Sequence, residues 1–312
     1  MAFRGVGLRA LGCFCLVVMA VGQLQAAPVA PRSPIQDDAG RAYPINFRAQ
    51  RVVTLAPSLT ELVYAAGAEG HLVGVSAYSD FPAPARRLPQ VADARGVSFE
   101  ALLALKPDLV LVWKGGTRPT DVARLTSLGI NVFAIDISTL ADVPRAVRMI
   151  GRLVGAPPPD DTPERFAASF ESTLNKLQSA SHGKVPVRVF FEISRLPLMT
   201  VNGRHFIAET IKLCGGENVF SDATNLVVEP SREELLKRDA DAILRTQSNQ
   251  NDIARDKTLY AELDAYRRGR IYAVTADWIM RPGPRVLLAA GEICAALDAA
   301  RTSMAAGAKA KR

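Results

Sequence analysis

Two stretches of this 312-residue chain echo each other. Ser98-x-Glu100-x-Leu102-Leu103, followed by Asp108 and Leu111, recurs as Ser231-x-Glu233-x-Leu235-Leu236, followed by Asp241 and Leu244, with every match at one displacement. Glu61, Gly67 and Glu69 recur in the same manner as Glu209, Gly215 and Glu217. Two such runs in the same strand-helix order favour two like-folded lobes with a ligand between them.

Within each half, short apolar runs alternate with amphipathic segments. Val52 to Leu55 reads as a strand, Thr60 to Ala66 as a helix closed by Gly67, and Leu72 to Ser76 as the next strand. Ser98 opens a helix on which Leu102, Leu103 and Leu105 are expected to share a face, and Pro107-Asp108 ends it before the run Leu109 to Trp113. A helix near Thr120 to Leu128 leads to a strand from Asn131 to Ile135, and the alternation resumes with Val187 to Ile193. Strands alternating with helices predict an α/β fold with mostly parallel sheets. Between the halves, Pro163 and the spacing of Phe166, Phe170, Leu174 and Leu177 predict one long helix, free of Gly and Pro until Gly183.

The first residues have the three-part grammar of a signal peptide: Arg4 and Arg9, an apolar run from Leu11 to Val21, then small residues ending near Ala26 or Ala27. That run is shorter than the roughly 20 residues a membrane span needs, so the mature chain is expected to be soluble. Ala10, Leu11 and Gly12 before Cys13 resemble a loose lipoprotein box, but the apolar core follows the cysteine instead of leading up to it. The expected organisation is a signal peptide at 1–27, a flexible Pro-, Ala- and Arg-rich lead-in at 28–48, an amino-terminal lobe at 49–156, a bridging helix at 157–184, a carboxy-terminal lobe at 185–300 and a basic tail at 301–312. Loss of the leader leaves Cys214 and Cys294, which read either as one disulfide or as two buried thiols. The net charge of +7 comes from dispersed basic residues, with the densest cluster at the tail, so it does not point to nucleic acid.

Enzyme signatures are missing: there is no Walker loop, dinucleotide fingerprint, nucleophile elbow or zinc-protease helix motif. His71, His182 and His205 are scattered and read as surface residues, and no metal site is expected. Glu100 and Glu233 each lie two residues beyond a serine at a helix start, where a carboxylate interacts well with the helix dipole. The alternative is one exposed carboxylate per lobe, a layout able to key the protein onto a twofold partner carrying arginines. Trp113 ends a strand before Lys114-Gly115-Gly116, Tyr78 follows one in a turn-rich segment, and Asp277-Trp278 with Arg281 follows another. Strand ends open onto clefts, and aromatic faces with a few polar groups suit a large flat ligand. Asp277 and Arg281 also have the spacing to pair with each other.

Taken together, these segments resemble the vitamin B12-binding receptors of periplasmic ABC importers, from Arg51 to about Leu297. The resemblance is carried by Arg-Val-Val-Thr-Leu-Ala-Pro-Ser-Leu-Thr-Glu-Leu from Arg51, Val-Ser-Ala-Tyr-Ser-Asp-Phe-Pro from Val75, Ala-Leu-Lys-Pro-Asp-Leu-Val from Ala104, Leu-Cys-Gly-Gly-Glu-Asn from Leu213, and Asp277-Trp278. It implies two Rossmann-like lobes, joined by one long rigid helix, that close little on ligand. It implies a periplasmic, monomeric, non-enzymatic protein that needs no cofactor, takes cobalamin or another corrinoid as its transported ligand, and delivers it to an inner-membrane ABC permease. By the same resemblance Tyr78, Trp113, Met199, Asp277, Trp278, Ile279, Met280 and Arg281 line the ligand site, Glu100 and Glu233 dock on permease arginines, and Cys214 pairs with Cys294.

Three family aromatics are replaced, by Ala94, Met199 and Val227, each a loss of roughly 0.5–1.5 kcal/mol of ring contact. A haem or ferric-siderophore receptor is the alternative within the binding class, with Arg281 pairing a carboxylate or catecholate. An α/β enzyme using Asp277 as a base is the alternative outside it.

Overall fold

The computed structural model describes residues 1–2, 34–44, 46–155, 162–246 and 260–310. The expected leader from its third residue, its cleavage point and the Pro-rich break at 156–161 lie outside them.

Regular structure is present inside the segment expected as a lead-in. β1 (Ile35–Gln36) and β2 (Ala42–Tyr43) form an antiparallel hairpin. Ile35 and Tyr43 are buried, and the Tyr43 ring packs on Phe133 with centroids 5.2 Å apart. Asp37 accepts from the Ala134 amide at 3.0 Å, and Asp38 accepts from the Asp136 amide at 2.6 Å and from Arg145 at 2.8 Å. The hairpin thereby covers an open sheet edge, whose unpaired amides would otherwise be exposed. A polar, proline-bearing composition hid this role because only two side chains carry the packing.

The amino-terminal lobe holds β3 (Val52–Thr54), β4 (Leu72–Ser76), β5 (Gln90–Asp93), β6 (Gly96–Val97), β7 (Leu109–Trp113) and β8 (Asn131–Ile135), in the order β6-β5-β4-β3-β7-β8. All neighbours are parallel except β5 and β6. The first four residues of β7 are buried, as expected of a parallel strand covered on both faces. The carboxy-terminal lobe holds a parallel sheet of β9 (Val187–Glu192), β12 (Gly216–Asn218), β14 (Ala242–Thr246) and β15 (Ile271–Val274), in the order β12-β9-β14-β15. Beside it, β10 (Ser194–Arg195), β11 (Leu198–Val201) and β13 (Val227–Val228) form an antiparallel sheet.

Helices complete both lobes. α1 (Pro57–Ala65) starts with a proline, whose missing amide donor costs nothing at the first turn. α2 (Phe99–Ala104), α3 (Pro119–Ser127) and α4 (Asp142–Val154) follow. Gly155 ends α4 at φ 71°, a left-handed conformation suited to glycine. α5 (Thr162–Ser181) is the expected bridge, and Phe170 is its most deeply buried aromatic. α6 (Phe206–Leu213) and α7 (Arg232–Arg238) belong to the second lobe, which ends in the helix Val286–Ala310. The residues after 300, expected as a tail, continue that helix to Ala310.

One apolar core runs through both lobes. Val52, Leu62 and Ile150 of the first belong to the same cluster as Phe170 of the bridge and Val189, Ile207 and Ile293 of the second. The outer face of each sheet carries its own smaller core, around Val110 in the first lobe and Phe190 in the second. Among the described residues no helix is long and apolar enough to cross a membrane.

The repeated sequence signature has local structural meaning. Leu102 and Leu235 are both fully buried, as are Leu111 and Leu244. Asp108 accepts from the Arg51 amide at 2.9 Å and Asp241 from the Arg188 amide at 2.9 Å, so each pins the start of the neighbouring strand. Two details differ from expectation. Leu103 is exposed, because one step beyond Leu102 turns a helical side chain away from the core. The Ser231 hydroxyl accepts from the Glu234 amide, whereas the Ser98 side chain caps nothing.

Candidate functional site

In a parallel sheet the carboxyl ends of the strands lie along one edge, and the side chains that follow them share that edge. Tyr78 follows β4 and Trp113 ends β7, with β3 between their strands. Tyr78 adopts φ 63° and is 75% exposed. Trp113 is 39% exposed, and its indole lies against the Gly115-Gly116 backbone. A Cβ on Gly116 would sit 2.0 Å from the ring, so only glycine there lets the indole lie flat, with its other face outward. Both aromatics are thus available at the rim of the first lobe.

In the second lobe β15 runs into the short helix Ala276–Ile279 and the loop 280–285. Asp277 and Met280 are exposed and Trp278 is half-buried against the core. Ile279 has no exposed surface and packs in the core cluster. The turn of helix that presents Asp277 and Met280 outward points Ile279 inward, so in this structure it is a structural residue and not part of the rim. Met199, on β11, is half-buried, and Ala94 and Val227 are exposed.

The two rims meet through charge. Arg281 donates to Asp80, two residues beyond Tyr78, at 2.7 Å, and lies 3.0 Å from Asp277. Behind them Arg285 forms a two-pronged pair with Glu61 of α1, at 2.6 and 2.9 Å, and stacks over the Phe81 ring at 4.3 Å. Burial opposes ionisation of Asp80, but the hydrogen bond and charge of Arg281 outweigh it and leave the carboxyl below its usual range. For Glu61 burial is the stronger influence and pushes the carboxyl up against the pull of Arg285. Local spacing gave the Asp277–Arg281 pair; Asp80, Glu61 and Arg285 were missed, because residues some 200 positions apart leave no local signal. The traces were that Glu61 and Asp80 stand inside the quoted segments and that Glu61 recurs as Glu209.

Glu100 and Glu233 lie in the first turns of α2 and α7, one per lobe, both exposed. Neither forms an ion pair or hydrogen bond among the described residues. Cys214, at the end of α6, is joined to Cys294 of the last helix by a disulfide. His205 is not a surface residue: its Nδ1 accepts from the Ile207 amide as the cap of α6, and burial pushes its imidazole down to about 4. Among the described residues no three His, Cys, Asp or Glu side chains converge as metal ligands. A second buried group, Tyr260 donating to Glu192 with Arg245 in register on the adjacent strand, lies under the carboxyl edge of the second sheet.

The chain is similar to known proteins over most of its length. The profile described as periplasmic binding protein matches residues 52–278. The vitamin B12-binding protein of Pectobacterium carotovorum is 36% identical over 252 residues, covering 80% of this chain and 89% of that protein. The vitamin B12-binding protein of Vibrio cholerae is 32% identical over 255 residues, covering 82% and 91%. The crystal structure of the periplasmic vitamin B12-binding protein of Vibrio cholerae superposes with a TM-score of 0.74 over 82% of this chain and 99% of that one. A periplasmic haem-binding protein from Roseiflexus shares the fold at 22% identity, with a TM-score of 0.72. The protein described here belongs to the periplasmic binding protein family.

Proposed function

We propose that the protein binds cobalamin or a related corrinoid in the cleft between its lobes and delivers it to an inner-membrane ABC importer, without chemistry and without a resident cofactor. The observation that carries this reading is the pairing of an exposed aromatic rim, Tyr78 with Trp113, with a second rim of half-buried Trp278 and exposed Met280, in a chain whose relatives at 32–36% identity are vitamin B12-binding proteins. A corrin ring is broad, flat and fringed by amides. Aromatic faces meet its plane, while Asp277 and Arg281 offer an acceptor and a donor to the fringe. Met199 fills the place of a lost aromatic with a polarisable chain.

In this reading Glu100 and Glu233 dock the loaded protein on the permease. Asp108, Asp241, Leu102 and Leu235 all have structural work, whereas the two repeated glutamates have no partner of their own among the described residues. Two carboxylates held outward on short helices suit a twofold set of arginines. The protein would act as a monomer in the periplasm after removal of its leader near Ala26 or Ala27.

Absorbance titration tests the ligand. The spectra of cyanocobalamin and cobinamide are expected to shift on mixing with the protein and that of haem is not. Saturable haem binding with no corrinoid response would transfer the proposal to haem.

A further inference from the structure

The second repeat, Glu61 with Glu209, has no place in ligand contact or docking, yet both residues do the same thing. Glu61 lies on α1, its side chain only 2% exposed, and grips Arg285 immediately before the last helix of the opposite lobe. Glu209 lies on α6, and its Oε2 accepts from the Leu140 amide at 2.7 Å, two residues before α4 of the opposite lobe. In each lobe the helix bearing the glutamate packs on that lobe's own closing helix, α1 on α4 and α6 on the last helix. The two contacts are therefore one contact made twice, in opposite directions. A local helix-stabilising role does not account for them, since the partners stand 224 and 69 positions away.

We propose that Glu61 and Glu209 are positioning residues that clasp the lobes reciprocally and set the width of the cleft between them. Glu61 holds Arg285, and Arg281 lies 3.8 Å from the same carboxylate while bonding to Asp80 and Asp277. One end of the clasp thus orders the charged side of the rim. The other end is a single charge-assisted bond to a backbone amide, insensitive to side-chain identity at Leu140. The functional half of this inference rests on the cleft being the corrinoid site; the geometric half does not.

The test uses the chain without its proposed leader, whose own cysteines, Cys214 and Cys294, are joined, carrying nitroxide labels on exposed positions of the two lobes, Ser127→Cys and Lys237→Cys. The inter-lobe distance distribution is measured without ligand by double electron-electron resonance. Glu61→Gln combined with Glu209→Gln is expected to broaden the distribution and add a longer-distance population, and cobalamin dissociation is expected to quicken about tenfold. Asp264→Asn removes ion pairs within one lobe, to Arg268 and Arg270, and is expected to leave the distribution as it was. If the paired glutamine variant does not fold, Glu61→Gln with Arg285→Met removes the buried charges together, which proteins tolerate better than removal of one, and the same broadening is expected. An unchanged distribution in a folded variant overturns the clasp. Broadening in a protein that binds no corrinoid upholds the clasp and refutes only the ligand.

Discussion

Trp113 is fixed by its neighbours more than by its own packing: the glycines at 115 and 116 give its ring a flat bed and leave the far face open. Trp113→Ala is expected to weaken corrinoid binding by about 1 kcal/mol or more, measured as the dissociation constant, with little change in stability because the ring is not in the core. An unaltered constant would remove it from the ligand site. Asp142 shows the opposite case, a residue whose work is structural. It accepts from the Ser138 and Thr139 amides and the Thr139 hydroxyl, and bonds to Arg145. Burial opposes its ionisation, but these bonds outweigh it and hold its carboxyl below the usual value. Its contribution is therefore complete above the ordinary carboxylate range and is lost as pH falls through the lowered value. Asp142→Asn is expected to flatten the decline in unfolding free energy between about pH 5 and pH 3, followed by denaturant titration at each pH. An equally steep decline in the variant would refute the assignment. Glu61 has the reverse sign, since its raised value favours the folded state at low pH, so it does not contribute to that decline.

Among the elements, what periodicity could reveal it did reveal. The strands at 72–76, 109–113 and 131–135 have the expected bounds because apolar runs closed by Pro, Gly or Asp leave few alternatives. The bridge was legible from Phe166 and Phe170, four residues apart on one face. The hairpin at 35–43 was not, because its hold on β8 comes from Asp37 and Asp38, residues that read equally well as loop. Nor was the division of labour within the repeat: only the structure shows Asp108 and Asp241 bound to backbone while Glu100 and Glu233 have no partner among the described residues. Glu100→Ala with Glu233→Ala is accordingly expected to leave cobalamin affinity intact and to cut uptake through the importer in reconstituted vesicles. Undiminished uptake would discard the docking role, and a weakened affinity would place these residues in the ligand site instead.

At the scale of the molecule, the continuous core from Val52 through Phe170 to Ile293 makes the two lobes one packed body. Domains joined by a large apolar interface move little against each other, and under the proposed clasp at Glu61 and Glu209 the gap between them is set before any ligand arrives. The charged contacts that span the gap were invisible in sequence for a simple reason: Arg281 with Asp80, and Arg285 with Glu61, join segments more than 200 residues apart. The fold, the bridge and the exposure of Tyr78 and Trp113 at strand ends were legible; the ion pairs beside them were not. Because the gap is fixed, affinity reports directly on whether it suits a corrin ring. Isothermal titration of the folded, ligand-free protein with cyanocobalamin is expected to give one site per chain with a micromolar or tighter dissociation constant, and the absence of saturable binding at that concentration would contradict the account.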